Sequence, residues 1–218
     1  QAFMSESTTW QPDAPLKGDW HDPDNWSNGV PDEDKIAVVD RLGTRASGHV
    51  KVKGLRVGGQ GSVHLGGLIG EGVAGEGMGL LVAKSVAITD DLTLRGGTLV
   101  GSVDVPAGAT WHVTGAGDMH LNGALRLAGA AVWRGPGRLV ISNEGLDISG
   151  RVDVESAATI FHPSEVRLRS GGRIHVRKGQ LLRIDGPSLR CDGEIRLSDS
   201  TLDLRDGDHT FSSGAIVS

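Results

Sequence analysis

The sequence predicts an all-β parallel β-helix, a right-handed β-solenoid with three strands per coil of about 21 residues, and three observations lead there. First, from about residue 50 the chain is a run of short triplets, "VKV", "LRV", "VHL", "VAI", "LTL", "VDV", "WHV", "MHL" and "LRL". Each sets one outward residue between two apolar ones, the alternation of a strand with one buried face. Second, the triplets recur at a nearly fixed step. Third, 34 of the 218 residues are glycine, and corners between strand faces need backbone angles that residues with a Cβ resist.

The recurrence falls into three interleaved series. Strand positions Trp111, Val132, Val152, Ile174 and Ile195 are separated by 21, 20, 22 and 21 residues. Met119, Leu139, Ile160, Leu182 and Leu202 step by 20, 21, 22 and 20, and Leu125, Leu146, Val166, Leu189 and Phe211 by 21, 20, 23 and 22. A sandwich also has short strands and many turns, but nothing in it forces three series of equal period. No segment carries helical apolar spacing over three turns. Residues 50–218 have room for about eight coils, each rising about 4.8 Å, with right-handed crossovers. Paired glycines at 58–59, 66–67, 96–97 and 171–172 mark corners. The glycine-dense stretch 66–81 reads either as a loop thrown out from one coil or as a coil turned so tightly that side chains are absent.

Residues 1–49 divide from this body as a tag remnant followed by a tryptophan-rich cap. Trp10, Trp20 and Trp26 lie in a polar, proline-punctuated stretch, "GDWHDPDNWSNGVPDEDK". A stack of parallel strands exposes an open apolar end that has to be covered, and three indoles can cover it. The same indoles offer a plate for a sugar ring. Asp22, Asp24, Asp32 and Asp34 admit calcium as an alternative to ordinary Asx turns, since hard cations take clustered oxygens. Otherwise no metal or cofactor is expected.

Charge and composition narrow the partners. A net charge of -5 gives no electrostatic pull toward nucleic acid, and no apolar run is long enough to span a bilayer. Cys191 stands alone, so it reads as a small buried apolar residue and not a reactive thiol. The first residues lack the basic start and apolar core of a secretory signal. "QAF" before Met4 reads as a tag scar or as the start of a mature fragment. "TFSSGAIVS" closes the sequence in strand alternation without an evident cap, which predicts either a continuing chain or self-association through that open end.

The stretch "TTW … GDWHDPDNWSNGVPDEDKIAVV", between residues 8 and 40, resembles the segment that opens β-solenoid regions in large bacterial surface proteins, including autotransporter-type adhesins. The resemblance implies an extracellular or cell-surface setting and an adhesive or scaffolding role, and it brings no catalytic residue with it. A cytoplasmic address is the alternative.

In a three-sided coil the middle residues of the triplets stack into outward ladders. The first face would present His112, Trp133, Asp153, His175 and Arg196, with Trp133 outward unless Ala131 and Trp133 turn inward in place of Val132. The second would present His120, Val140, Phe161, Arg183 and Asp203. The third would present Arg126, Asp147, Arg167, Arg190 and Ser212, an ion-pair ladder. Trp133, His112, His175 and Arg196 are the candidate binding residues, facing a polysaccharide or a protein surface. Enzymes that cleave polysaccharides gather carboxylates on one face. Here no strand-centre carboxylates are neighbours, and only Asp185 and Asp206, with Asp208 near, offer a catalytic alternative. The expected function is therefore a non-catalytic binding module of an adhesin-like protein. A polysaccharide lyase or hydrolase, or a bactofilin-like polymer built end to end, is the alternative.

Overall fold

A computed structural model describes residues 6–11, 13–14, 18–161 and 164–218 of the chain. Apart from a short 3-10 turn at Pro23–Asn25, its regular structure is β-strand, and the strands form one parallel sheet wound into a solenoid of about nine turns. On the first face Ile36, Gly54, Gly72, Asp91, Thr110, Ala130, Arg151, Arg173, Glu194 and Ile216 are successive partners. The coil therefore grows from 18 residues near the start to 22 near the end. Ile174 lies directly over Ile195, as the period requires.

The ladder begins upstream of residue 50, where Glu6–Thr9 pairs with Lys35–Val39 and Gly18–Asp19 with Gly43–Lys51. The strands Ser62–Gly75 and Leu80–Leu94 run around the corners and contribute to all three faces. The glycine-dense stretch is thus a tightly wound coil and not an extruded loop.

Register departs from the sequence expectation at three points. Ala131 and Trp133 point inward and Val132 outward, so the first outward ladder reads His112, Val132, Asp153, His175, Arg196. On the second face Ile160 sits under Ile184, a coil of 24 residues, and the outward ladder continues from Phe161 to Asp185 and Arg205; Arg183 and Asp203 sit on a neighbouring row. The third face ends with Arg190 opposite Thr210, with Phe211 opposite Cys191 in place of Leu189.

The interior is a column of Val, Leu, Ile and Ala closed at its start by tryptophan. Trp10, Trp20 and Trp26 are buried. Trp26 meets the other two edge to face, with ring centroids 5.1 and 4.8 Å away, and its Nε1–H donates to the Trp20 carbonyl at 2.8 Å. Burial removes these indoles from any sugar-stacking role. Cys191 is buried beneath the last coils, and that burial pushes its thiol pKa up, which keeps it a protonated apolar filler.

Outside, ion pairs link neighbouring coils. Asp147 accepts from Arg169 Nη2 at 2.5 Å, and Arg126 meets Asp104 at 3.5 Å. Glu165 joins both Arg167 and Arg190. Arg126 and Asp104 are direct rung partners, whereas Asp147 takes Arg169 in place of its rung partner Arg167, and Arg167 turns to Glu165. The hydrogen bond from Arg169 is the main reason the Asp147 carboxyl is held below its ordinary value of 3.8. A carboxylate depressed by folding stabilises the fold above its unfolded pKa, and that contribution disappears as pH falls through the folded one. The stability difference between wild type and Asp147→Asn, followed by urea unfolding, should be constant from neutral pH to about 5 and should vanish as pH drops below 3.8.

Candidate functional site

The first face carries two built features. Near its start lies a groove of about 530 Å³ lined by side chains from four successive coils. Its floor exists because side chains are missing. The row Ile36, Gly54, Gly72, Asp91 has two glycine rungs between larger neighbours, and the next row places Ala74 between Arg56 and Thr93. Three coil steps make the groove about 14 Å long.

Neither glycine is there for its backbone. Gly54 and Gly72 both lie outside the left-handed region, and a Cβ on Gly54 would make only ordinary contacts, 3.5 Å from the Gly72 carbonyl oxygen and from Ile36. Glycine inside a strand costs about 0.5–1 kcal/mol relative to alanine. What Gly54 gains is open space, and at Gly72, where a Cβ would come within 2.8 Å of Asp91 Oδ1, the missing side chain leaves room for that rim carboxylate. The rim carries both signs: Lys53, Arg56 and Arg95 stand with Glu71, Glu76, Asp90 and Asp91, and among the described residues no aromatic ring lines the cleft. Arg95 approaches Glu76 at 3.9 Å and Thr93 donates to Asp91 at 3.2 Å, so part of the rim is tied down within the groove itself.

The second feature begins three coils beyond the last rung of the groove, on the same face. Asp153, only 8% exposed, is gripped by Arg177 Nη2 at 3.0 Å and faces Arg151 Nε at 3.3 Å. His175, its partner on the next rung, turns Nδ1 toward the same carboxylate at 3.7 Å and Nε2 toward Ser198 Oγ at 2.8 Å. Arg196 sits opposite His175 one coil later, exposed.

The structure redistributes the sequence-predicted residues accordingly. His175 and Arg196 stay outward and adjacent, whereas His112 lies four rungs from Arg196. Trp133 leaves the surface altogether, 2% exposed, with its ring 5.6 Å from that of Trp111. Asp185 stands opposite Arg205, so it does not stack on Asp206, which occupies a turn at φ 46°. Asp208 is exposed in the following turn. In the cap, Asp22 and Asp32 each accept from the backbone N–H two residues on, at 3.0 Å, and Asp32 also pairs with Lys35. These aspartates build Asx turns, and among the described residues no group of three acidic, histidine or cysteine side chains gathers to hold a metal.

Glu71, Glu76, Asp90, Asp91 and Ser198 escape a reading confined to strand centres after residue 110. The signal available for the first four is "TDDL" facing "GEG" one coil earlier.

No family model, curated protein or solved structure matches the chain. Among the described residues no helix is long and apolar enough to cross a membrane.

Proposed function

We propose that the chain is a β-solenoid binding module of an adhesin-like bacterial surface protein, and that the groove on its first face is where it meets its partner. The supporting observation is the pair of strand glycines, Gly54 and Gly72, whose backbone does not need them and whose absent side chains open the cleft. A groove about 14 Å long suits an extended polymer segment of four residues or so. With no ring among the described lining residues to stack on a sugar face and charges of both signs along the rim, protein is favoured over glycan as the partner.

Gly54→Leu tests this reading, because leucine is compatible with the strand and fills the cleft. Wild type is expected to retain mixed-charge peptides on an array, with binding reduced at least tenfold in Gly54→Leu at unchanged thermal stability. Equal binding by the two proteins would remove the groove from the function.

A further inference from the structure

We propose that Ser198, His175 and Asp153 form an ester-cleaving relay, a second site on the first face that shares no residue with the groove and departs from the non-catalytic expectation. The solenoid itself assembles it. Asp153 and His175 are rung partners, one coil apart. Ser198 comes from the turn that follows Glu194–Leu197, where its N–H donates to the Val176 carbonyl at 3.2 Å and so holds it beside the His175 strand. The next residue, Asp199, adopts φ 45°, which turns the chain sharply away and leaves the hydroxyl half-exposed against the imidazole.

The order of contacts is that of an activated alcohol. His175 Nε2 and Ser198 Oγ are 2.8 Å apart, and in the tautomer that carries its proton on Nδ1 the ring accepts from the hydroxyl while Nδ1–H is directed at Asp153. Such a base raises the nucleophilicity of an otherwise unreactive hydroxyl. The 3.7 Å separation between Nδ1 and the carboxylate is longer than a hydrogen bond, and the relay requires the two to close up as the ring takes the proton. Asp153 is a positioning residue: Arg177 and Arg151 hold its carboxylate in place, and it orients the ring.

With an ester, Oγ attacks the acyl carbon and the hydroxyl proton passes to Nε2. The C–O bond to the leaving group breaks and the departing alkoxide takes that proton. Water, deprotonated by the same nitrogen, then releases the acyl group as a carboxylic acid and restores the serine. Arg196 is the cation placed to stabilise the oxyanion: it stands next to His175 on the ladder, and no carboxylate forms an ion pair with it among the described residues.

The surroundings indicate the substrate class. Arg151, Arg173, Arg177 and Arg196 outnumber Asp153 and Glu194 around the relay, and Lys178 pairs with Asp199 at its edge. An open, basic surface of this kind takes a small acyl ester carried on an anionic chain.

The experiment combines a fluorophosphonate probe with hydrolysis of p-nitrophenyl acetate. Wild type should be labelled at Ser198, located by peptide mass spectrometry, and should hydrolyse the ester. Ser198→Ala should lose labelling, and His175→Gln should lower kcat at least a hundredfold. Asp153→Asn should lower kcat with little change in KM, and Asp153→Glu should recover part of it, a pattern that loss of structure alone does not produce. Circular dichroism verifies that each variant is folded. A folded wild type that is not labelled at Ser198, or a Ser198→Ala protein that hydrolyses the ester as fast as wild type, would overturn the relay.

Discussion

Gly101→Ala is expected to destabilise the solenoid by about 3–5 kcal/mol, a large fraction of the 5–15 kcal/mol typical of a domain. Gly101 lies within the strand Gly97–Val105, where that strand turns from the second face to the third, at φ 132°. A Cβ there would overlap the Ala83 carbonyl oxygen of the preceding coil. The obstacle is backbone, so no rotamer change relieves it. Gly123 repeats the geometry one coil later at φ 141°, its own Cβ position blocked by the Gly101 carbonyl. Displacing the corner at 101 therefore disturbs the rung on each side. Gly54→Ala provides the contrast: with ordinary backbone angles and room for a methyl, it should be neutral or stabilising by up to about 1 kcal/mol. Urea unfolding of the two variants separates a glycine kept for the chain's own turn from one kept for the space above it. Similar losses at both positions would contradict this division.

Corner glycines are visible in the sequence because they punctuate the strands, and so is the period. Trp111, Val152, Ile174 and Ile195 stack as their spacing implies. Phase and register fail where the alternation carries no information. "AAVW" at 130–133 is apolar throughout, so either set of alternate residues could point inward. "LLRID" at 181–185 offers Leu182 and Ile184, both fully buried. A one-residue slip would expose the apolar set, but a two-residue slip keeps it inside, and the chain takes the second registration after Ile160. The sites were harder to read for different reasons. The groove is made by absent side chains, which leave no positive mark on a pattern of triplets. The relay needs a turn residue, Ser198, brought beside a rung centre, His175, across 23 positions, and a turn residue belongs to none of the strand series.

Trp133→Ala carries the other large expected effect, a loss of about 3–5 kcal/mol through the cavity it leaves. The interior accepts two indoles because they are staggered: Trp111 stands below Ala131, and Val113 below Trp133, so each large side chain faces a small one on its own row. The rings then meet across the rows, nearly perpendicular. Both Nε1–H groups are buried without a hydrogen-bond partner, an unmet demand that costs about 1–3 kcal/mol for each. Trp133→Phe removes one of these demands along with some volume, so the two effects oppose each other and the net change should stay within about 1 kcal/mol. Because the rings touch, alanine at 111 and at 133 together should cost less than the sum of the single losses. If Trp133→Ala instead weakened ligand binding while leaving the unfolding midpoint in place, the indole would have to face solvent, and the inward phase of residues 131 and 133 would be wrong.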